Sequence, residues 1–191
     1  PTRYTGGELN SCIKNPDDVK VRFGFCFPDV YEIAMSHLGL KIIYHTLNTR
    51  PDTYCERVFA PWDDMEQEMR KYDMPLFALE TGDAVTHFDM LGFTLQYELS
   101  YSNIVNMLDL AKIPVLAEER SEEYPIIYGG GPCAYNAEPV ADIFDFFMLG
   151  EYGSAEPIAD DDYTEGFYNY LNNEYDYVFA ITSVGGPYTT I

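Results

Sequence analysis

Five short apolar runs alternate along the chain with stretches that carry helical spacing or helix-start signals. The runs are VKVRFGFCF (19–27), residues 54–60, FDMLGFTLQ (88–96), residues 125–128 and FDFFML (144–149). They are apolar on both faces, as strands covered by helices on either side must be. After the first run, Ile33, Leu38, Leu40, Ile43, Tyr44 and Leu47 recur at near-helical spacing, which predicts one helix over 30–48, stopped by Arg50-Pro51-Asp52. A second helix is expected over 62–72, where Pro61 precedes a first turn rich in acid. A third, over 100–111, sets Ile104, Met107, Leu108 and Ala111 on one face. A short fourth is expected over 138–143. Strands that alternate with helices pair in parallel through right-handed crossovers.

The fold class that follows is α/β: a flavodoxin-like (Rossmann-like), doubly wound parallel sheet of about five strands in a three-layer α/β/α sandwich. In such a sheet ligands sit beyond the carboxyl ends of the strands, where the strand order reverses. The loops on that rim are 27–32, 96–100, 129–136 and 150–153. One of them, within PIIYGGGPCAYNAEP (125–139), follows a strand with Gly129, Gly130, Gly131 and Pro132. Bare backbone lets a flat macrocycle, a phosphate or another stretch of chain come close. The three glycines are therefore contact candidates, with a plain tight turn as the other reading. Thr94 and Gln96 end the third strand, where they either hydrogen-bond a ligand or satisfy the strand end. Tyr97 follows at once, and Glu98 is a cap candidate for the next helix. Asp29, Tyr31 and Glu32 lie where the first helix begins, and Asp29 suits an N-cap. Gly150 and Glu151 close the set after the fifth strand.

Charge narrows the function. The 32 acidic and 11 basic residues give a net charge of −21, which disfavours nucleic-acid backbones and anionic lipid. The acid is spread along the chain, as solubility alone requires. Cys12, Cys26, Cys55 and Cys133 form no C-x-x-C pair and no zinc spacing, so a reducing, cytoplasmic setting is expected. No apolar stretch reaches the ~18 residues a bilayer span needs, and no signal-peptide pattern is present. A chain that begins at Pro1 reads as a processed product or an excised fragment.

No catalytic group emerges. Ser36 and His37 are adjacent and cannot form a nucleophile–base pair, and no Cys–His pairing is visible. Asp63 and Asp64 lie on a charged helix and read as solvated. His37 falls inside the expected helix and reads as a satisfied helix histidine; His45 and His87 have no partner pattern. Past residue 153 the alternation weakens. Residues 1–153 are expected to form the domain, and 154–191 an acidic, tyrosine-rich extension with one strand-like run, YVFAITS (177–183). Tyr163, Tyr168, Tyr170, Tyr175 and Tyr177 suit an interface, or packing on the sheet edge.

Three stretches together resemble one family. They are RYTGGELNS; FCFPDVYEIAMSHLGLKIIYHTLN, running into ERVFAPWDDME; and FDMLGFTLQYELSYSNIVNMLDLA, followed by the triple-glycine stretch and FDFFMLGE. In order and spacing, over residues 3–152, they resemble the amino-terminal cobalamin-binding-like domain of a group of radical S-adenosylmethionine (SAM) proteins. The resemblance implies that Gly130-Gly131-Pro132, Glu138-Pro139 and Gly150-Glu151 bound a strand–loop–helix–strand unit at the rim. It implies cobalamin as the cofactor and a radical SAM core, or another protein, as the partner. The sequence departs from related patterns at two points. Axial-histidine ligation of cobalt uses D-x-H-x-x-G, whereas Asp29 stands eight residues before His37. A bound corrinoid would thus be held by backbone and shape. The C-x-x-x-C-x-x-C run of a radical SAM core is also missing, so no iron–sulfur cluster and no catalysis are expected of this chain alone.

Three readings stay open: a cobalamin-binding-like module, a docking domain of the same fold that has lost the cofactor, and a flavodoxin-like nucleotide or flavin module. The acidic rim (Asp29, Glu32, Glu98, Glu138 and Glu151) and the missing phosphate-loop lysine oppose the third.

Overall fold

Strand β1 (Val21–Phe27) is buried at all seven positions because it has a neighbour on either side and helices above and below. It pairs in parallel with β2 (Thr53–Phe59) and with β3 (Met90–Thr94). Beyond β3 lie β4 (Ile126–Gly130) and β5 (Phe146–Met148), both parallel. The order β2-β1-β3-β4-β5 is the doubly wound arrangement expected from the alternation. The computed structural model describes residues 2–149; Gly150, Glu151, the 154–191 extension and its tyrosines lie outside them.

Period-two alternation sorts side chains to two apolar layers. Phe23, Phe25 and Phe27 join Ala34 of α1 (Tyr31–Ser36) and Leu40 and Tyr44 of α2 (Leu38–Thr49) on one face. Cys26, Leu91 and Phe93 join Met69 of α3 (Asp63–Lys71) and Ile104, Met107 and Leu108 of α4 (Tyr101–Leu110) on the other. No helix among the described residues is long and apolar enough to cross a membrane.

Two expected helices differ. The stretch 30–48 is broken at His37, whose backbone is extended (φ −78°, ψ 120°). The imidazole is not inside a helix: its Nδ1 accepts the Leu40 N–H at 3.2 Å and caps α2, while the ring packs on Phe27 at 5.2 Å between centroids. Residues 138–143 form no α-helix. A 3₁₀ turn, Glu138–Val140, stands there instead, because its backbone bonds span three residues rather than four: Val140 N–H to Ala137 O, Ala141 N–H to Glu138 O and Ile143 N–H to Val140 O.

Edge strand β2 is sealed by the excursion over 76–88. Leu79 N–H donates to Arg57 O at 2.8 Å, and Glu80 Oε2 accepts the Arg57 N–H at 2.7 Å. Each face of β2 adds a buried ion pair. Arg57 Nε meets Glu80 Oε1 at 2.6 Å on one face. Arg22 Nε meets Glu56 Oε1 at 2.8 Å on the other, with Glu56 Oε2 also accepting the Thr81 hydroxyl at 2.6 Å. Charges so placed need every partner present, and here they hold the covering segment to the edge.

Candidate functional site

The sheet order reverses between β1 and β3, so the crevice of interest lies between their carboxyl ends. After β1 the chain turns tightly, Asp29 N–H donating to Phe27 O at 2.8 Å. The Asp29 carboxylate takes the Val30 N–H at 2.7 Å with Oδ1 and the Tyr97 hydroxyl at 2.9 Å with Oδ2. Asp29 is therefore not the helix cap; Val30 occupies that position, without a side-chain cap bond. Instead Asp29 bridges the reversal point to the loop after β3. The bond raises the Tyr97 pKa, because a phenolate beside the carboxylate would be repelled, so Tyr97 stays a donor. Asn103 adds a second link across the gap, from Nδ2 to Pro28 O at 2.9 Å.

The triple glycine follows from the same crowding. Leu95 N–H donates to Gly130 O at 2.6 Å, and Leu95 O accepts the Cys133 N–H at 2.9 Å. A Cβ on Gly129 would stand 2.9 Å from Leu95 Cδ1 and 3.0 Å from the Phe147 ring. Gly131 has φ +108°, and a Cβ there would reach Leu95 O at 3.1 Å. The close approach that these two glycines allow is that of the chain's own β3 exit. Gly130 differs: a Cβ there would make only ordinary contacts, the nearest with Met148 at 3.8 Å. Pro132 starts the 3₁₀ turn that carries the chain off the rim. Thr94 is buried at the strand end, and its hydroxyl accepts from Gln96 Nε2, so the two side chains satisfy each other. Glu98 begins a 3₁₀ turn, and the cap position of α4 is Ser100, so Glu98 does not cap α4.

Tyr31 and Glu32 face away from this crevice, toward the end of β2 and the amino-terminal segment. The Tyr31 hydroxyl donates to Glu8 at 3.1 Å, and its ring meets Phe59 edge-on. The Glu32 carboxylate accepts Trp62 Nε1 at 3.1 Å and pairs with Arg3. Tyr31 stands two residues after Asp29, where D-x-H-x-x-G places its histidine, and that position is taken up by Glu8 and Phe59. His37 lies beyond α1 with Nδ1 engaged as a cap. The structure thus brings Asp29 and Tyr97 together at the reversal point, sets Thr94, Gln96 and Gly129–Gly131 at the neighbouring β3 and β4 ends, and leaves Tyr31 and Glu32 toward β2.

Two features had no signal in the sequence. The buried Tyr101 hydroxyl lies beside the Cys133 thiol, and burial together with the Glu98 charge holds that thiol above its ordinary pKa, unsuited to nucleophilic work. The rim also presents Tyr97, Leu99 and Tyr135 to solvent, 41%, 86% and 69% exposed, with Asp29, Glu98 and Glu138 around them. Most cations among the described residues are already bonded elsewhere. Each arginine side chain, and those of Lys14, Lys71 and Lys112, bonds a carboxylate or a backbone carbonyl. Lys20 lies just before β1 at the opposite end of the sheet, and Lys41 on α2. Among the described residues no three His, Cys, Asp or Glu side chains converge to hold a metal ion.

Comparison with known proteins follows this geometry. The family model described as the N-terminal region of radical SAM proteins matches residues 39–175, from the start of α2 through β5 and on past the described residues. An uncharacterised protein of Methanocaldococcus jannaschii is 34% identical over 84 residues, 43% of this chain. The aligned stretch spans only 17% of that relative's length. No solved structure gives a significant match.

Proposed function

Because the chain belongs to the radical SAM N-terminal family, we propose that it is the amino-terminal module of a radical SAM protein, docking by its carboxyl-end rim against the catalytic core. Radical chemistry would come from the core, through its S-adenosylmethionine and iron–sulfur cluster. This chain's residues would position that core: Tyr97, Leu99 and Tyr135 supply apolar contact, and Asp29, Glu98 and Glu138 favour a surface bearing Lys or Arg. The observation that carries the reading is the Asp29–Tyr97 bond across the strand reversal, together with Gly129 and Gly131 filled by the β3 exit. On this reading the protein's own groups take the place a ligand would have in this fold.

A second reading is corrinoid held without a histidine ligand, and one observation favours it: Gly130 is the least crowded of the three glycines, with no neighbour nearer than 3.8 Å to its Cβ position. Among the described residues most cations are already bonded elsewhere, which leaves little to hold a nucleotide or flavin phosphate, so neither ligand is proposed. Titration with hydroxocobalamin and methylcobalamin, followed by the visible spectrum and gel filtration, separates the first two. The docking reading expects no retained corrinoid at about 100 μM, a generous ceiling for a resident cofactor. Retention, abolished by Gly130→Leu, would replace docking with cofactor binding.

A further inference from the structure

We propose that the exposed face of α2 is the docking surface for residues 160–177 of this chain, the acidic, tyrosine-rich stretch that lies outside the described residues. The face is a single stripe. Leu38, Lys41, Ile42 and His45 recur at i, i+3, i+4 and i+7, so they stand together on the side of α2 turned away from the buried Leu40 and Tyr44. Leu38 and Ile42 are 68% and 48% exposed, and Lys41 and His45 are exposed beside them. Among the described residues neither Lys41 nor His45 has a side-chain hydrogen bond or an ion pair.

Charge singles out this face. Residues 33–51 are the longest stretch of the chain without Asp or Glu, in a molecule of net charge −21. Apolar side chains beside a cation, on so acidic a protein, suit an occupant that is itself acidic and apolar. The chain supplies one. From Asp160 to Tyr177 there are six acids, six aromatic residues and no base. No Lys, Arg or His stands anywhere after Arg120. Tyr163, Phe167, Tyr170 and Leu171 follow one another at i, i+4, i+7 and i+8, the spacing with which an amphipathic segment lays an apolar edge along a partner surface. A second copy of α2 does not suit the stripe, because a two-fold pair centred on it sets Lys41 against Lys41.

The reach is sufficient. β5 ends at Met148 on the carboxyl edge of the sheet, and α2 begins near that same edge, because it follows the carboxyl end of β1 through α1. β5 and β2 stand four strand spacings apart, about 19 Å. α2 adds a helix diameter of about 10–12 Å. The chain from Met148 to Asp160 extends to about 40 Å. The stripe shares no residue with the rim of Tyr97, Leu99 and Tyr135, so loss of one surface leaves the other.

Zero-length carbodiimide coupling of the 191-residue chain tests the contact, read by mass spectrometry of the monomer. Lys20 is the reference amine, since it is exposed and lies just before β1, at the opposite end of the sheet. The reaction is run in about 0.15 M sodium chloride, where attraction between exposed charges is screened beyond about 8 Å. Lys41 is expected to couple to the acids of 160–176 about fivefold or more above Lys20, because covering two aliphatic side chains outweighs screened attraction alone. Leu38→Ser with Ile42→Ser keeps both amines and alters only exposed side chains. It should bring Lys41 down to the Lys20 level, with melting by circular dichroism confirming the fold. Should that variant melt early, Ile42→Ser alone replaces it and is expected to lower the ratio. Equal coupling of the two lysines in the unsubstituted chain overturns the proposal, because general attraction then accounts for it. So does a ratio that survives the substitutions. So does coupling found only between chains, which gives the face to a second copy's extension.

Discussion

Gly129 and Gly130 are neighbours with the same chemistry and different obligations. A methyl on Gly129 would press on Leu95 and Phe147, whereas one on Gly130 meets nothing closer than 3.8 Å. Overpacking of this kind costs about 1–3 kcal/mol. Gly129→Ala is therefore expected to lower unfolding stability by that amount in a urea titration, and Gly130→Ala to leave it nearly unchanged. Equal effects at both positions would mean that the rim does not crowd as described. The sequence showed that bare backbone was needed after the fourth strand. It did not show against what, because Leu95 is more than thirty residues away along the chain. Asp29 shows the same limit. Its position before a helix suggested a cap, and its carboxylate instead found Tyr97, which only the β1–β3 pairing brings near.

Among the elements, β2 is the one whose reading changed most. TYCERVF carries Glu56 and Arg57 in the middle of an edge strand, and both are buried. Each is matched from another part of the chain, Glu56 by Arg22 and Thr81, Arg57 by Glu80. Removing one partner of a buried pair strands the other charge and costs about 3–5 kcal/mol. Arg22→Met leaves the buried Glu56 without a cation and is expected to lose that much stability, and adding Glu56→Leu to regain most of it, measured as urea midpoints of the two variants. If the double substitution is no better than the single, the pair holds the edge by more than charge matching. The helix after β1 shows a smaller failure of local reading. Apolar spacing ran through residues 30–48 without a break, but periodicity does not register that His37 can turn its imidazole back to Leu40 and replace a helical turn.

At the scale of the whole molecule, charge is the governing quantity. With 32 acids against 11 bases, and nearly all the bases already bonded, the remaining carboxylates repel one another. Salt screens that repulsion more than it weakens the few buried pairs. The melting temperature is accordingly expected to rise between about 0.02 and 0.3 M sodium chloride, read by circular dichroism; a fall would assign net stability to the surface ion pairs. The sequence by itself determined the fold class, the five strands of the described residues and their parallel sense. Strand periodicity and strand–helix alternation are local patterns, and the crossover rule converts them to topology. Only the tertiary structure decided what fills the carboxyl-end rim. The Asp29–Tyr97 bond, the glycines packed on Leu95, the paired charges of β2 and the Tyr4–Trp62 bond join residues far apart in the chain. Such contacts leave no periodic trace, because they depend on which strand ends the fold sets side by side.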